Sequence, residues 1–167
     1  MRHLILMRHA KSDWSAGLED HERPLNNRGE AAAYALGEWL RERDYQPDQV
    51  LCSSAKRTGK TLLGLGFSQA TPVAFTKRLY LADSEEMLSV LRFSEAACIL
   101  MLGHNPGIGE MAARLVDDPP NHPQFYNYPT GATFVIDFDV DSWNDIGWHT
   151  GQPIDFTVPR DFTGKVA

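Results

Sequence analysis

The sequence predicts an α/β fold built on a largely parallel sheet. Three observations carry this. Short apolar runs at Leu4–Met7, 49–52 and 97–102 alternate with amphipathic stretches at helical spacing. The run from Ala97 to Leu102 is apolar on both faces, as suits the middle of a parallel sheet. Right-handed crossovers return successive strands in one direction, so their ends share one edge, where open α/β sheets place their ligands.

Taken in order, Leu4-Ile5-Leu6-Met7 is a buried strand that stops at Arg8-His9. Residues 10 to 27 form a polar loop rich in turn formers, long enough to suggest a functional role. Ala31, Ala35, Leu36, Trp39 and Leu40 recur at helical spacing, giving a helix over Arg28 to Arg43 with Asn27 as its N-cap. After a strand at 49–52, Ser53-Ser54 opens a helix to about Leu65 with Arg57 in its first turn. A helix N-terminus offers free N–H groups and a positive dipole end to an anion. Val73 to Thr76 is a third strand. Asp83 caps a helix through Leu91, with Glu86 placed as in a capping box. Gly103-His104-Asn105-Pro106 follows the 97–102 strand, with Asn105 as N-cap and Pro106 at the first position of a helix to about Val116. A Pro/Asn/His-rich loop spans 117–129, and Thr133 to Phe138 is a strand. From Ser142 on, the weak periodicity predicts a peripheral strand or two and a poorly specified tail.

A chain of 167 residues suits one domain, covering residues 1–167. Its net charge of −6 argues against bulk nucleic-acid binding, so any anion site must be a local cluster of cations. Cys52 and Cys98 lie in apolar runs and read as core thiols of a reducing compartment. No signal peptide or membrane span is visible, and a cytoplasmic protein with no membrane partner is expected.

Three strand–helix junctions would bring Arg8 and His9, Arg57, and His104 to one edge. Guanidinium forks match the peripheral oxygens of a phosphoryl group. A neutral imidazole can attack phosphorus, and neighbouring arginines disfavour its cationic form. His9 is therefore the expected nucleophile, Arg8 and Arg57 the phosphate clamps, and His104 a donor to the transferring oxygens. Ser12 and Arg23 are further candidates for substrate binding. Side chains supply the positive charge, so neither a metal nor another cofactor is expected.

Arg8-His9, the stretch from Ser53 to Thr61, and Gly103-His104-Asn105-Pro106 resemble, in that order, the histidine phosphatase superfamily, whose fold is phosphoglycerate-mutase-like. The segments Leu6–Ser15 and Asp20…Arg23-Pro24-Leu25, with the short chain, are most similar to the SixA-type phosphohistidine phosphatases. The resemblance implies a three-layer α/β/α sandwich, His9 as the phosphorylated residue, and a pocket completed by Arg8, Arg57 and His104. One departure stands out: where many members carry a carboxylic proton donor, this chain has Leu81. Asp83 and Glu85 lie close by and could serve as an acid or simply cap a helix. Without an acid, a phosphohistidine is a better substrate than a sugar phosphate, because imidazole leaves readily from phosphorus.

Other readings fare worse. Gly59-Lys60-Thr61 imitates the end of a P-loop, but Ser54 stands where that motif needs glycine. Gly107-Ile108-Gly109-Glu110-Met111-Ala112 mimics a dinucleotide fingerprint but reads as a helix start. The spacings of His9, His21, His104, His122 and His149 match no metal-ligand pattern. The expected partner is a phosphorylated protein bearing phosphohistidine, or a small phosphorylated substrate. The rival functions are a catalytically silent phosphate-recognition module and, less favoured, a phosphoglycerate-type mutase.

Overall fold

The computed structural model describes residues 1–163. Residues 164–167, the end of the expected C-terminal tail, lie outside the described residues. Six strands, β1 (Arg2–Arg8), β2 (Gln49–Ser53), β3 (Val73–Thr76), β4 (Cys98–Gly103), β5 (Thr133–Phe138) and β6 (Gln152–Thr157), form one sheet in the order β3-β2-β4-β1-β5-β6. The β3–β2, β2–β4 and β4–β1 pairings are parallel, and β5 runs antiparallel to both β1 and β6. β5 is thus the one reversed strand of a mostly parallel sheet.

Side-chain alternation along β1 assigns the two faces. Leu4 and Leu6 join a core with α3 (Ser84–Arg92) and α4 (Gly107–Leu115). Ile5 and Met7 join another with Leu36, Trp39 and Leu40 of α1 (Asn27–Glu42) and Leu65 of α2 (Lys56–Leu65). Helices therefore cover both faces, which is why β1 and β4 need apolar residues on both sides. A short α5 (Arg160–Thr163) follows β6, and 3-10 turns occur at Asp20–Glu22, Lys77–Leu79 and Trp143–Asp145. Among the described residues no helix is long and apolar enough to cross a membrane.

Several element starts differ from expectation. The carboxamide oxygen of Asn26, not of Asn27, accepts the Gly29 N–H and caps α1. Ser53 is the last residue of β2, and α2 begins at Lys56 behind Ala55, which has no capping side chain. Pro106 takes the N-cap position of α4, while Asn105 Oδ1 accepts the Gly109 N–H from one residue further back. Val116 leaves α4 to bridge Gly151. Asp83 does cap α3 through the Glu86 N–H, but the Glu86 carboxylate pairs with Arg78 and does not complete a capping box.

Candidate active site

The ends of β1, β2 and β4 open on one edge of the sheet. There Arg8, His9, Ser12, Arg23, Arg57 and His104 line a single cleft of about 360 Å³, together with Lys11, Trp14, Leu81, Asn105 and Thr130. The six sequence-predicted residues are thereby brought together. His9, Arg57 and His104 are only 4 %, 3 % and 2 % exposed, an unusual depth for polar side chains.

His9 is held in one tautomer. Its Nδ1 lies 2.7 Å from the Ala10 carbonyl oxygen, which can only accept, so Nδ1 carries the proton. The lone pair is left on Nε2. The loop carrying His9 is pinned from α2, where the Thr61 hydroxyl accepts the Ala10 N–H and donates to the Arg57 carbonyl. Thr61 is fully buried. The P-loop-like Gly-Lys-Thr thus serves as an anchor for the loop. Burial, reinforced by Arg8, Arg57 and Arg23, pushes the His9 imidazole down to about 3 against the pull of its Ala10 hydrogen bond. Burial, and then the charges of His9 and Arg57, lower His104 as well. The two rings sit with centroids 5.3 Å apart, and both are neutral at physiological pH.

Each guanidinium is gripped from behind. Arg57 donates to the Asp20 carbonyl at 2.7 Å and to Asp20 Oδ2 at 3.0 Å. Arg23 donates to Asp20 Oδ1 and to the Ser12 hydroxyl at 2.7 Å, and stacks under the Trp14 ring. A hydrogen bond from Tyr80, followed by those from Arg23 and Arg57, holds the Asp20 carboxyl well below the usual carboxylate range. Asp20 therefore remains an anion that fixes two cations. It does not line the cleft. Arg8 donates to the Tyr128 carbonyl. Tyr128 adopts a left-handed backbone (φ 44°) that few non-glycine residues accept. Asn105 Nδ2 donates to the same carbonyl.

His104 Nε2 meets the Ser53 hydroxyl at 2.7 Å. That hydroxyl already accepts the Ala55 N–H, and among the described residues its own proton has no other acceptor. Donation to His104 Nε2 leaves the proton of the neutral imidazole on Nδ1. His104 Nδ1, Arg8 Nε and Arg57 Nε are all buried without a hydrogen-bond partner among the described residues. Buried polar groups are rarely left unpaired. All three nitrogens belong to residues that line the one cleft.

Asp83 is spent on capping α3, and Glu85 pairs with Arg114 and accepts from Trp148. Neither lines the cleft, whereas Leu81 does, with φ 52° and its side chain half exposed. Of the remaining histidines, His21 bonds Ser54, His122 bonds Asp161, and His149 pairs with Asp117. Asp20, Ser53, Tyr80 and Tyr128 were not legible as site residues. Their roles depend on partners far away in the chain, as with Tyr128 and Arg8, 120 positions apart.

Comparison with known proteins supplies the relatives. The model of the histidine phosphatase superfamily (branch 1) matches residues 4–81. An uncharacterized protein of Mycobacterium leprae is 31 % identical over 164 residues, covering 92 % of this chain and 100 % of its own length. A solved structure from Nakamurella multipartitia, described as a candidate phosphohistidine phosphatase, SixA, superposes with a TM-score of 0.83 at 30 % identity, covering 95 % of this chain and 96 % of that one. A similarly described SixA structure from Agrobacterium tumefaciens gives a TM-score of 0.76 at 26 % identity, covering 95 % and 99 %.

Proposed function

This chain belongs to the histidine phosphatase superfamily, and from that premise we propose that it hydrolyses phosphohistidine, or a related phosphoramidate or phosphomonoester, through a covalent phosphohistidine on His9. The observation that carries the reading is the His9 tautomer. With Nδ1–H given to Ala10, the lone pair on Nε2 belongs to a neutral imidazole among three guanidiniums.

In the first step the Nε2 lone pair forms the N–P bond while the bond from phosphorus to the leaving group breaks. Arg8, Arg23 and Arg57 hold the peripheral oxygens, and His104 Nδ1–H donates to them as their charge grows. In the second step a water oxygen bonds to phosphorus. The N–P bond breaks, its electron pair returns to Nε2, and both protons of the water leave with the product as dihydrogen phosphate.

No carboxyl group lines the cleft among the described residues. An alkoxide leaving group would need a proton from such a group. A phosphohistidine whose second ring nitrogen is protonated departs as neutral imidazole and needs none. This favours phosphohistidine over a sugar phosphate, and with it a phosphorylated protein as the partner.

Turnover of a chromogenic aryl phosphate in the presence of a chelator tests the reading. Wild-type protein is expected to hydrolyse it. His9→Ala, with an unchanged circular dichroism spectrum, should lose activity by about a thousandfold or more. Failure of the wild type to turn over either an aryl phosphate or a phosphoramidate would point to the silent recognition module.

A further inference from the structure

A second groove, of about 640 Å³, lies beside the cleft and shares Lys11 and Thr130 with it. Ala31, Ala32 and Val158 give it a lining of small apolar side chains, and its cations are Lys11, Arg28 and Arg160. Among the described residues no Asp or Glu lines either the groove or the cleft. In a chain of net charge −6 this is a marked local excess of positive charge.

Among the described residues these cations are also unspent. Arg43, Arg78 and Arg114 each hold a carboxylate on the surface. Lys11, Arg28 and Arg160 have no ion pair and no side-chain hydrogen bond among the described residues. Arg28 stands moreover in the first turn of α1, where the helix dipole disfavours a cation and an anionic neighbour would offset the cost.

We propose that this groove is the docking site for an acidic segment of the phosphorylated protein substrate, seated while its phosphoryl group enters the cleft. The inference rests on the phosphatase reading and deepens it by naming the chemistry that flanks the phosphorylated residue. The volume far exceeds that of one carboxylate or phosphate group, and the apolar lining residues give the aliphatic parts of a peptide a surface to cover. These features favour a peptide over a small dianion. Charge at the rim would also steer encounter and weaken with salt.

The test uses short labelled peptides with a central histidine flanked by Asp and Glu, or by Ser and Gln. Fluorescence anisotropy at low salt reads binding of the unphosphorylated peptides. The acidic peptide is expected to bind about tenfold tighter than the neutral one, and Arg28→Gln with Arg160→Gln should erase the difference. With the same peptides phosphorylated by phosphoramidate, kcat/KM should show the same preference, carried by KM. The double variant should turn over aryl phosphate as the wild type does.

Equal binding of the two peptides overturns the groove proposal, whether or not the protein is active. Equal binding with intact aryl phosphate turnover overturns it while leaving the phosphatase reading standing. Loss of all hydrolysis with the acidic preference in binding intact would remove the phosphatase reading and keep the groove. Binding that depends on Arg28 and Arg160 but is seen only with phosphatidylserine vesicles would contradict an acidic peptide as the occupant.

Discussion

At the scale of single residues, the ring of His9 is fixed in both tautomer and charge. Its Nδ1–H is committed to Ala10, and burial with three nearby guanidiniums keeps it unprotonated down to about pH 3. Nitrogen-detected NMR of the imidazoles should therefore find His9 in the Nδ1–H form with no titration between pH 8 and pH 5. An inflection near the ordinary value of 6.5 would contradict this assignment. Ser53 acts through His104. Ser53→Ala should lower kcat by about tenfold to a hundredfold with KM nearly unchanged, because a donor to the transition state loses its orientation. Ser53→Thr, which keeps the hydroxyl, should recover most of the rate, as a purely structural role for the residue would not require. Leu81 occupies the rim where the superfamily resemblance leads one to expect a proton donor. Leu81→Glu should raise kcat/KM for alkyl phosphates and leave phosphoramidate hydrolysis little changed, measured by phosphate release from matched substrates.

Among the secondary-structure elements, α1 and α4 touch the site loops so closely that glycine is required at the contact. A Cβ on Gly29 would lie 2.0 Å from the Lys11 carbonyl oxygen, and one on Gly107 1.9 Å from that of Ala82. Gly29→Ala should cost about 1–3 kcal/mol in denaturant unfolding and weaken phosphate binding as the loop carrying His9 and Ser12 shifts. These contacts mark the boundary of what could be read in the chain. The strand ends at Arg8, Ser53 and Gly103 were legible because unbroken apolar runs stop there. Arg57 was legible because two serines and a helical pattern follow a strand. The starts of α1, α2 and α4 were misplaced by one to three residues because several asparagines and serines stood in competition and tertiary contacts chose among them, whereas Asp83, with no such competitor, was legible as the cap of α3. Asn26 won over Asn27 at α1, and Ser53 was drawn into β2. Asp20 was hidden for another reason. A charged residue in a polar loop reads as solvated until Arg23, Arg57 and Tyr80 are seen to converge on it.

For the molecule as a whole, gathering cations and neutral imidazoles at one edge carries a cost that depends on pH. His9 and His104 both titrate well below 6.5 in the folded state. As pH falls below that value the unfolded chain takes up protons at these positions and the folded chain does not. Stability is therefore full above about pH 6.5 and declines as pH drops toward 3. Urea unfolding across this range should show the decline, and His104→Gln should flatten it. The sheet order explains how such a site is assembled. β1 pairs with β4 and β4 with β2, all parallel, so the three adjacent strands deliver Arg8 and His9, His104, and Arg57 to the same edge. The most direct measurement of whether that assembly makes His9 a nucleophile is rapid quenching of the protein with radiolabelled phosphoramidate under acid-free conditions, followed by mapping of the labelled residue. The label should appear on Nε2 of His9 within a single turnover and then decay to inorganic phosphate. Hydrolysis at full rate with no covalent label, or with the label on another residue, would contradict it.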